Sequence, residues 1–287
     1  MTSRFIQGVL GAALALGAKI AGAAVACSVS VAGFSSVYDS LVTTANDNVS
    51  SYSISCTRSS SDPATIGFSL AADNGLYFSS PTNRASRLRG NINNRFVDYD
   101  VYRSNSYAAS NKWGSGGAAI GGTLAFGSAT SATSSGAYYA RIPAQQNVSA
   151  NRNYVDTVSV TLTYGPANAS AATTFPVSIS TSAQVQIAVP PGEVVFNYNS
   201  FAPAAQLAST SYVVRGTSGI AYTMALDSSS GSVLGLNYSL SLSATGGTAN
   251  GALQSYTING SMAAGQSGTC SAARCSASQA RTLTITY

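Results

Sequence analysis

Alternation of apolar and polar residues dominates this chain, and the three-to-four spacing of an amphipathic helix is almost absent. Tyr52, Ile54 and Cys56 share one face of residues 51–56, and Ile66, Phe68 and Leu70 share one face of residues 65–70. Residues 96–102 read as a further strand, and Val158, Val160, Leu162 and Tyr164 line one side of residues 157–164. Gly-, Ser- and Asn-rich connections such as 110–122 separate these runs. Short period-two runs with such punctuation predict an all-β chain of sandwich type. From Phe175 to Val189 every odd position is apolar or β-branched, until Pro190-Pro191-Gly192 stops the run. It is too long for one ordinary strand. Its first part is expected to close one domain and its second part to open the next; the other reading is a linker that happens to alternate.

The same motifs occur twice, in the same order. Residues 67–75 and 222–231 are each a strand that runs into an Asp and then a Gly turn. Asp98-Tyr99-Asp100-Val101-Tyr102 pairs with Leu236-Asn237-Tyr238-Ser239-Leu240, and residues 139–145 pair with 258–266. Residues 157–164 pair with 281–287. Two homologous domains are expected.

Composition narrows the function classes. Only 8% of the 287 residues are charged and histidine is absent, against a usual charged share of about 25%. Such a chain has no His-based triad, no His metal site and no imidazole switch. With 45% hydrophobic residues it can still fold. Residues 1–26 read as an export signal: Arg4, the apolar run 8–16, and Ala24-Val25-Ala26 as a cleavage site, cut after Ala26. The apolar run is shorter than the roughly 20 residues of a membrane span, and Lys19 interrupts its extension, so no retained transmembrane segment is expected. Removing Arg4 and Lys19 from the 14 bases leaves 12 against 9 acids, a net charge of +3. That charge bears on solubility and gives no ground for a nucleic-acid partner. Arg84, Arg87, Arg89, Arg95 and Arg103 read either as solvated strand and loop arginines or as a patch for an anionic surface.

Four cysteines in an exported chain predict disulfides, with three possible connectivities. Local pairing, Cys27 with Cys56 and Cys270 with Cys275, is expected. The first bridge would close a long loop, worth roughly 3 kcal/mol or more; the second would pin a turn. Cys27 directly after the cut also leaves a lipoprotein reading open. A Cys-x4-Cys without histidine is a poor zinc site, and no cofactor is expected.

In both halves these residues resemble the spore coat protein U family, whose members include subunits of archaic, Csu-type chaperone–usher pili. In the first half the resemblance rests on Cys27-Ser28-Val29-Ser30, Tyr52-Ser53-Ile54-Ser55-Cys56, Trp113-Gly114, residues 139–145 and residues 154–164. In the second it rests on residues 222–227, Ala263-Ala264-Gly265-Gln266 and residues 282–287. The second half lacks the opening Cys pair and carries Cys270 and Cys275 as an insertion. The resemblance implies a signal at 1–26, an adhesin domain at 27–180 and a pilin domain at 181–287. Both domains would be immunoglobulin-like sandwiches. The C-terminal one would lack its last strand and end on a strand carrying Leu283, Ile285 and Tyr287. Implied partners are a periplasmic pilus chaperone, an outer-membrane usher and an adjacent pilin subunit that donates a strand. No apolar-alternating extension precedes Cys27, so the chain is expected to accept a strand without donating one. That would place it at the pilus tip, exported through the periplasm to the cell surface, in adhesion to host or abiotic surfaces and in biofilm formation.

For a sandwich whose last strand leads into the second domain, the connections 58–65, 105–122 and 165–174 would lie at the far pole. Trp113, Ala118, Ala119 and Ile120 in the middle one, and Leu76, Tyr77 and Phe78, are candidate surface-binding residues. The alternative is that Trp113 and Ile120 fold back on the core. Rival functions are a secreted coat or pilus-shaft protein without adhesive role, and a carbohydrate-binding module stacking sugars on Trp113 and tyrosines. A glycoside hydrolase using Asp98 and Asp100 is a third, but nothing else supports catalysis and no enzyme is expected.

Overall fold

The computed structural model describes residues 25–78, 84–87 and 96–287; the expected export signal, up to residue 24, lies outside them. Among the described residues the regular structure is nearly all strand, the rest of it being single-turn 3-10 helices at Ala109–Asn111 and Gly116–Ala118. Buried apolar side chains form two clusters, one from residues up to Ile179 and the other from Val185 onward. The structures around them are called here the first and second unit.

In the first unit β1 (Ala26–Val31), β3 (Asn46–Thr57), β8 (Ser131–Ile142) and β6 (Phe96–Tyr102) lie side by side. Against them lie β7 (Ile120–Ala125), β4 (Thr65–Ala72), β9 (Asn153–Tyr164), β10 (Ala169–Thr181) and β2 (Phe34–Tyr38). The short β5 (Arg84–Arg87) pairs with both β6 and β9 and joins the two layers. Period-two alternation puts Val158, Val160 and Leu162 of β9 and Phe175, Val177 and Ile179 of β10 into the core, with Ser and Thr between them facing out. The chain changes layers between β1, antiparallel to β3, and β2, parallel to β10. A Cβ at Gly33, in that crossover, would run into the Pro176 carbonyl of β10, so the crossing needs glycine. Cys27 and Cys56 face each other across β1 and β3 and are bonded; Cys270 is bonded to Cys275. A sulfur bonded to Cys56 cannot carry a thioether lipid, which removes the lipoprotein reading of Cys27.

The second unit repeats this plan with fewer strands. One sheet runs β11 (Val185–Val189), β12 (Gln206–Gly216), β17 (Gln254–Met262), β15 (Leu236–Leu242) and β14 (Ser230–Val233). The other runs β16 (Gly246–Thr248), β13 (Ala221–Leu226) and β18 (Leu283–Thr286). Val185 faces Gly216 where Cys27 faces Cys56. Leu226–Leu283 and Met224–Ile285 repeat the pairs Ala72–Val160 and Leu70–Leu162. The repeat differs from the expected alignment by one residue at β6. Gln146 exchanges hydrogen bonds with the backbone of Asp98, and Gln266 does the same with Asn237, so Asp98 corresponds to Asn237 and not to Leu236. The alternating run from Phe175 divides at residues 182–184, between β10 of the first unit and β11 of the second.

Candidate functional site

The two units differ at one edge. In the first, β10 lies between β9, which it meets antiparallel, and β2, which it meets parallel. In the second, β18 occupies the place of β9, and among the described residues it pairs only with β13. Residues 194–198 hold the place of β2. The Tyr198 hydroxyl donates to Ala263 O at 2.9 Å and accepts from Gln266 N, as the Tyr38 hydroxyl does with Pro143 O and Gln146 N. Yet among the described residues no ladder forms there, because none of their strands lies between this segment and β18. The side chains that such a strand would cover are left half-buried: Val194, Phe196, Leu240, Leu283 and Ile285. Their counterparts Val101, Val160 and Leu162 in the first unit are wholly buried. The result is an apolar furrow with one hydrogen-bonding edge, and Tyr287 at its end is 60% exposed.

The surface residues expected to bind divide into two groups. Trp113 is not on the surface: it is 0% exposed, corrected by the way its connection folds. Its indole N–H donates to Leu70 O at 2.7 Å, and its ring stacks on Phe175 and packs against Tyr138, so it joins the two layers. Arg103 donates to the carbonyls of Ser110, Gly117 and Ala119 and draws the connection down on the sandwich side, away from the pole. Ala119 is buried, and Ile120 and Ala118 are half-buried, Ile120 against the core. The pole opposite the second unit is instead formed by 58–64, 126–130 and 165–168, where Arg58 donates to the carbonyls of Gly127 and Ala129. Burial of Trp113 also removes it as a sugar-stacking platform. Of the arginine cluster, Arg89 and Arg95 lie outside the described residues. Asp100 is ion-paired with Lys112.

Leu76 and Phe78 are exposed, at 57% and 56%, with Tyr77 half-buried. Buried Asp156 presents them: its carboxylate accepts from Leu76 N, Thr157 N and the Tyr99 hydroxyl at 2.7–2.8 Å. Gly75, at φ +78°, lies so close to that carboxylate that a Cβ has no room. Burial pushes the Asp156 pKa above its ordinary value, against the lowering by these donors. Sequence reasoning missed this group and the Tyr38 and Tyr198 hydroxyl contacts. The partners lie 105 and 108 residues away for Tyr38, and 80 and 57 away for the Leu76 and Tyr99 contacts of Asp156, where no periodicity reaches.

At the other pole the first unit meets the second. Ala150 N donates to Ser218 O at 3.1 Å and Ser218 N to Val148 O at 3.2 Å. Ser40 Oγ lies 3.4 Å from Thr217 Oγ1, and Asn147 Nδ2 donates to Asn250 O at 3.1 Å. Val148, Leu41 and Thr217 are buried.

Fold and edge together define an all-β protein of pilin-like sandwiches, one closed and one with an open edge. The Spore Coat Protein U domain model matches residues 13–161, just over half of the chain, and the chain belongs to that family. Among solved structures it is similar to a chain of the CsuC–CsuE chaperone–tip adhesion subunit pre-assembly complex from archaic chaperone-usher Csu pili of Acinetobacter baumannii. Identity is 15% and the TM-score 0.50, over 91% of this chain and 99% of that one. It is also similar to the CooA pilin subunit of enterotoxigenic Escherichia coli, at 14% identity and TM-score 0.31, over 52% of this chain and 90% of that one. The adhesive subunit CfaE of the same organism's CFA/I fimbria matches at 8% identity and TM-score 0.26, over 68% and 76%. No curated protein matches the chain. Among the described residues, no helix is long and apolar enough to cross a membrane.

Proposed function

We propose that this chain is the two-domain tip subunit of an archaic chaperone–usher pilus, exported to the cell surface, where it mediates adhesion and biofilm formation. The domains are 27–180 and 181–287, after a signal removed behind Ala26. The second domain takes a strand at its open edge, first from a periplasmic chaperone and then, after passage through an outer-membrane usher, from the neighbouring pilin. The carrying observation is internal: β10 fills in the first unit the place that stands open beside β18 in the second. An added strand gains main-chain hydrogen bonds from the β18 edge and buries alternate apolar side chains on Leu283 and Ile285. Adhesive contact is assigned to the exposed Leu76 and Phe78, held out by Asp156. The reading is tested by producing the chain in the periplasm with and without a pilus chaperone. The second unit should resist proteolysis only with the chaperone. A stable, protease-resistant monomer obtained without it overturns the reading.

A further inference from the structure

The head-to-tail contact between the two units is a template for a second one. At the end of the first unit that meets the second, Ser40 and Leu41 are covered, Leu41 being 8% exposed. The step along the chain that carries Tyr38 to Tyr198 carries Ser40 to Ser200 and Leu41 to Phe201. These two are uncovered: Ser200 is exposed, and Phe201 is 70% exposed. Phe201 does not dangle. Its N–H donates to Gln266 O at 2.8 Å, and Ser200 Oγ donates to Ser267 O at 2.7 Å. Its φ is +60°, a conformation that a bulky side chain adopts only when its surroundings hold it. The connection from β17 to β18 stands where the β8–β9 connection touches the second unit; it carries the Cys270–Cys275 bridge and is exposed from residue 269 to 280.

Strand direction says what comes to lie on this pole. β10, parallel to β2, leaves the first unit at the end where the second begins, and residues 182–184 suffice to reach β11. A strand entering beside β18 in the same direction leaves the second unit at the Phe201 pole. The sandwich to which that strand belongs then starts within a few residues of Phe201.

We infer that Ser200, Phe201 and the disulfide-pinned 269–280 loop form a docking surface for the sandwich body of the strand-donating subunit, separate from the strand itself. The inference rests on the proposed strand donation. The occupant is the pole of a β-sandwich that presents loop backbone as 217–219 and 249–251 do towards the first unit. A contact of this head-to-tail kind does not close on itself and extends into a fibre.

The test places a photocrosslinking residue in the full chain, in fibres sheared from producing cells. Phe201→p-benzoylphenylalanine probes the pole, Tyr287→p-benzoylphenylalanine the open edge, and Val37→p-benzoylphenylalanine an exposed site on the first unit. The expected result is that positions 201 and 287 capture the same pilin, 287 through its donated segment and 201 through a loop of its folded body. The yield at 201 should be about tenfold above that at 37, since a side chain away from any interface meets only solvent. Capture at 287 with none above background at 201, or capture at 201 of a different chain or only of the donated segment, overturns the docking surface. No capture at 287 overturns strand donation itself.

Discussion

Single side chains decide how firmly each sandwich is closed. The Tyr38 hydroxyl, in a residue 1% exposed, both donates to Pro143 O and accepts from Gln146 N. Tyr38→Phe takes this shared partner from two part-buried backbone groups and should cost about 1 kcal/mol in denaturant unfolding. Tyr198→Phe, at the half-buried counterpart, should cost less because water replaces the hydroxyl. Asp156 gives a pH signature. Its folded pKa is raised, by burial first, so the folded state holds the proton longer than the unfolded chain does. Its contribution to stability is therefore complete in acid below the ordinary Asp pKa and is lost as pH rises through the folded value. Asp156→Asn should remove this share of the decline in an unfolding series across acidic pH. Asp98, raised by burial and then by Asp100, keeps its own. Trp113 shows why residue roles were harder to read than strands. A lone Trp on a Gly-rich connection carries no period, and only the fold reveals the cluster it forms with Phe175 and Tyr138. Trp113→Ala should cost about 3–5 kcal/mol. Any loss of attachment it causes would therefore come with lost stability, whereas Leu76→Ser with Phe78→Ser should lower attachment in a surface-binding assay with unfolding unchanged.

Strands were the legible level, because period two is written in consecutive residues. The run read at 96–102 is β6, and the run at 157–164 is the latter part of β9, which starts at Asn153. Less legible was the β2 place in the second unit. Val194 and Phe196 alternate as Phe34 and Ser36 do, but an insertion with Pro190 and Pro191 hides the match, and a strand without a partner is not a strand by its hydrogen bonds. β10 supplies a direct check on the open edge. A peptide of residues 169–181 carries the alternation that fits between β9 and β2, and the repeat gives the second unit nearly the same walls. Added to the full chain, this peptide should raise the melting temperature of the second unit and protect β18 amides from exchange. The same peptide with its alternation shifted by one residue turns its apolar face outward and should do neither. Equal effects from both peptides would mean that the furrow does not read strand register.

At the scale of the whole molecule, the repeat and the divided run announce two units, but nothing in the pattern announces that they press on one another. The surfaces involved are connections, 145–150 against 217–219 and 249–251, whose residues are mostly polar or small and follow no period. What couples them is burial in a short stretch: Val148 is 1% exposed, and backbone bonds flank it from Ser218 and Ala150. Gly251, at φ +82°, sits so close to the Asn147 side chain that no Cβ fits there. Each unit has its own apolar cluster, so breaking the contact should separate the units without unfolding either. Val148→Asp puts a carboxylate at a site 1% exposed in the first unit's apolar cluster, and Arg215, which donates to Gln145 O across the contact, offsets only part of a cost of several kcal/mol if the units stay together. The units should then part: small-angle scattering should give a larger radius of gyration, and the separation of the two melting transitions in calorimetry should widen relative to the native chain. Gly251→Ala should do the same more weakly, through backbone strain and the Asn147 clash. If Val148→Asp leaves the scattering curve unchanged, the contact is not what orients the first unit. The two units would then be free to turn about residues 182–184.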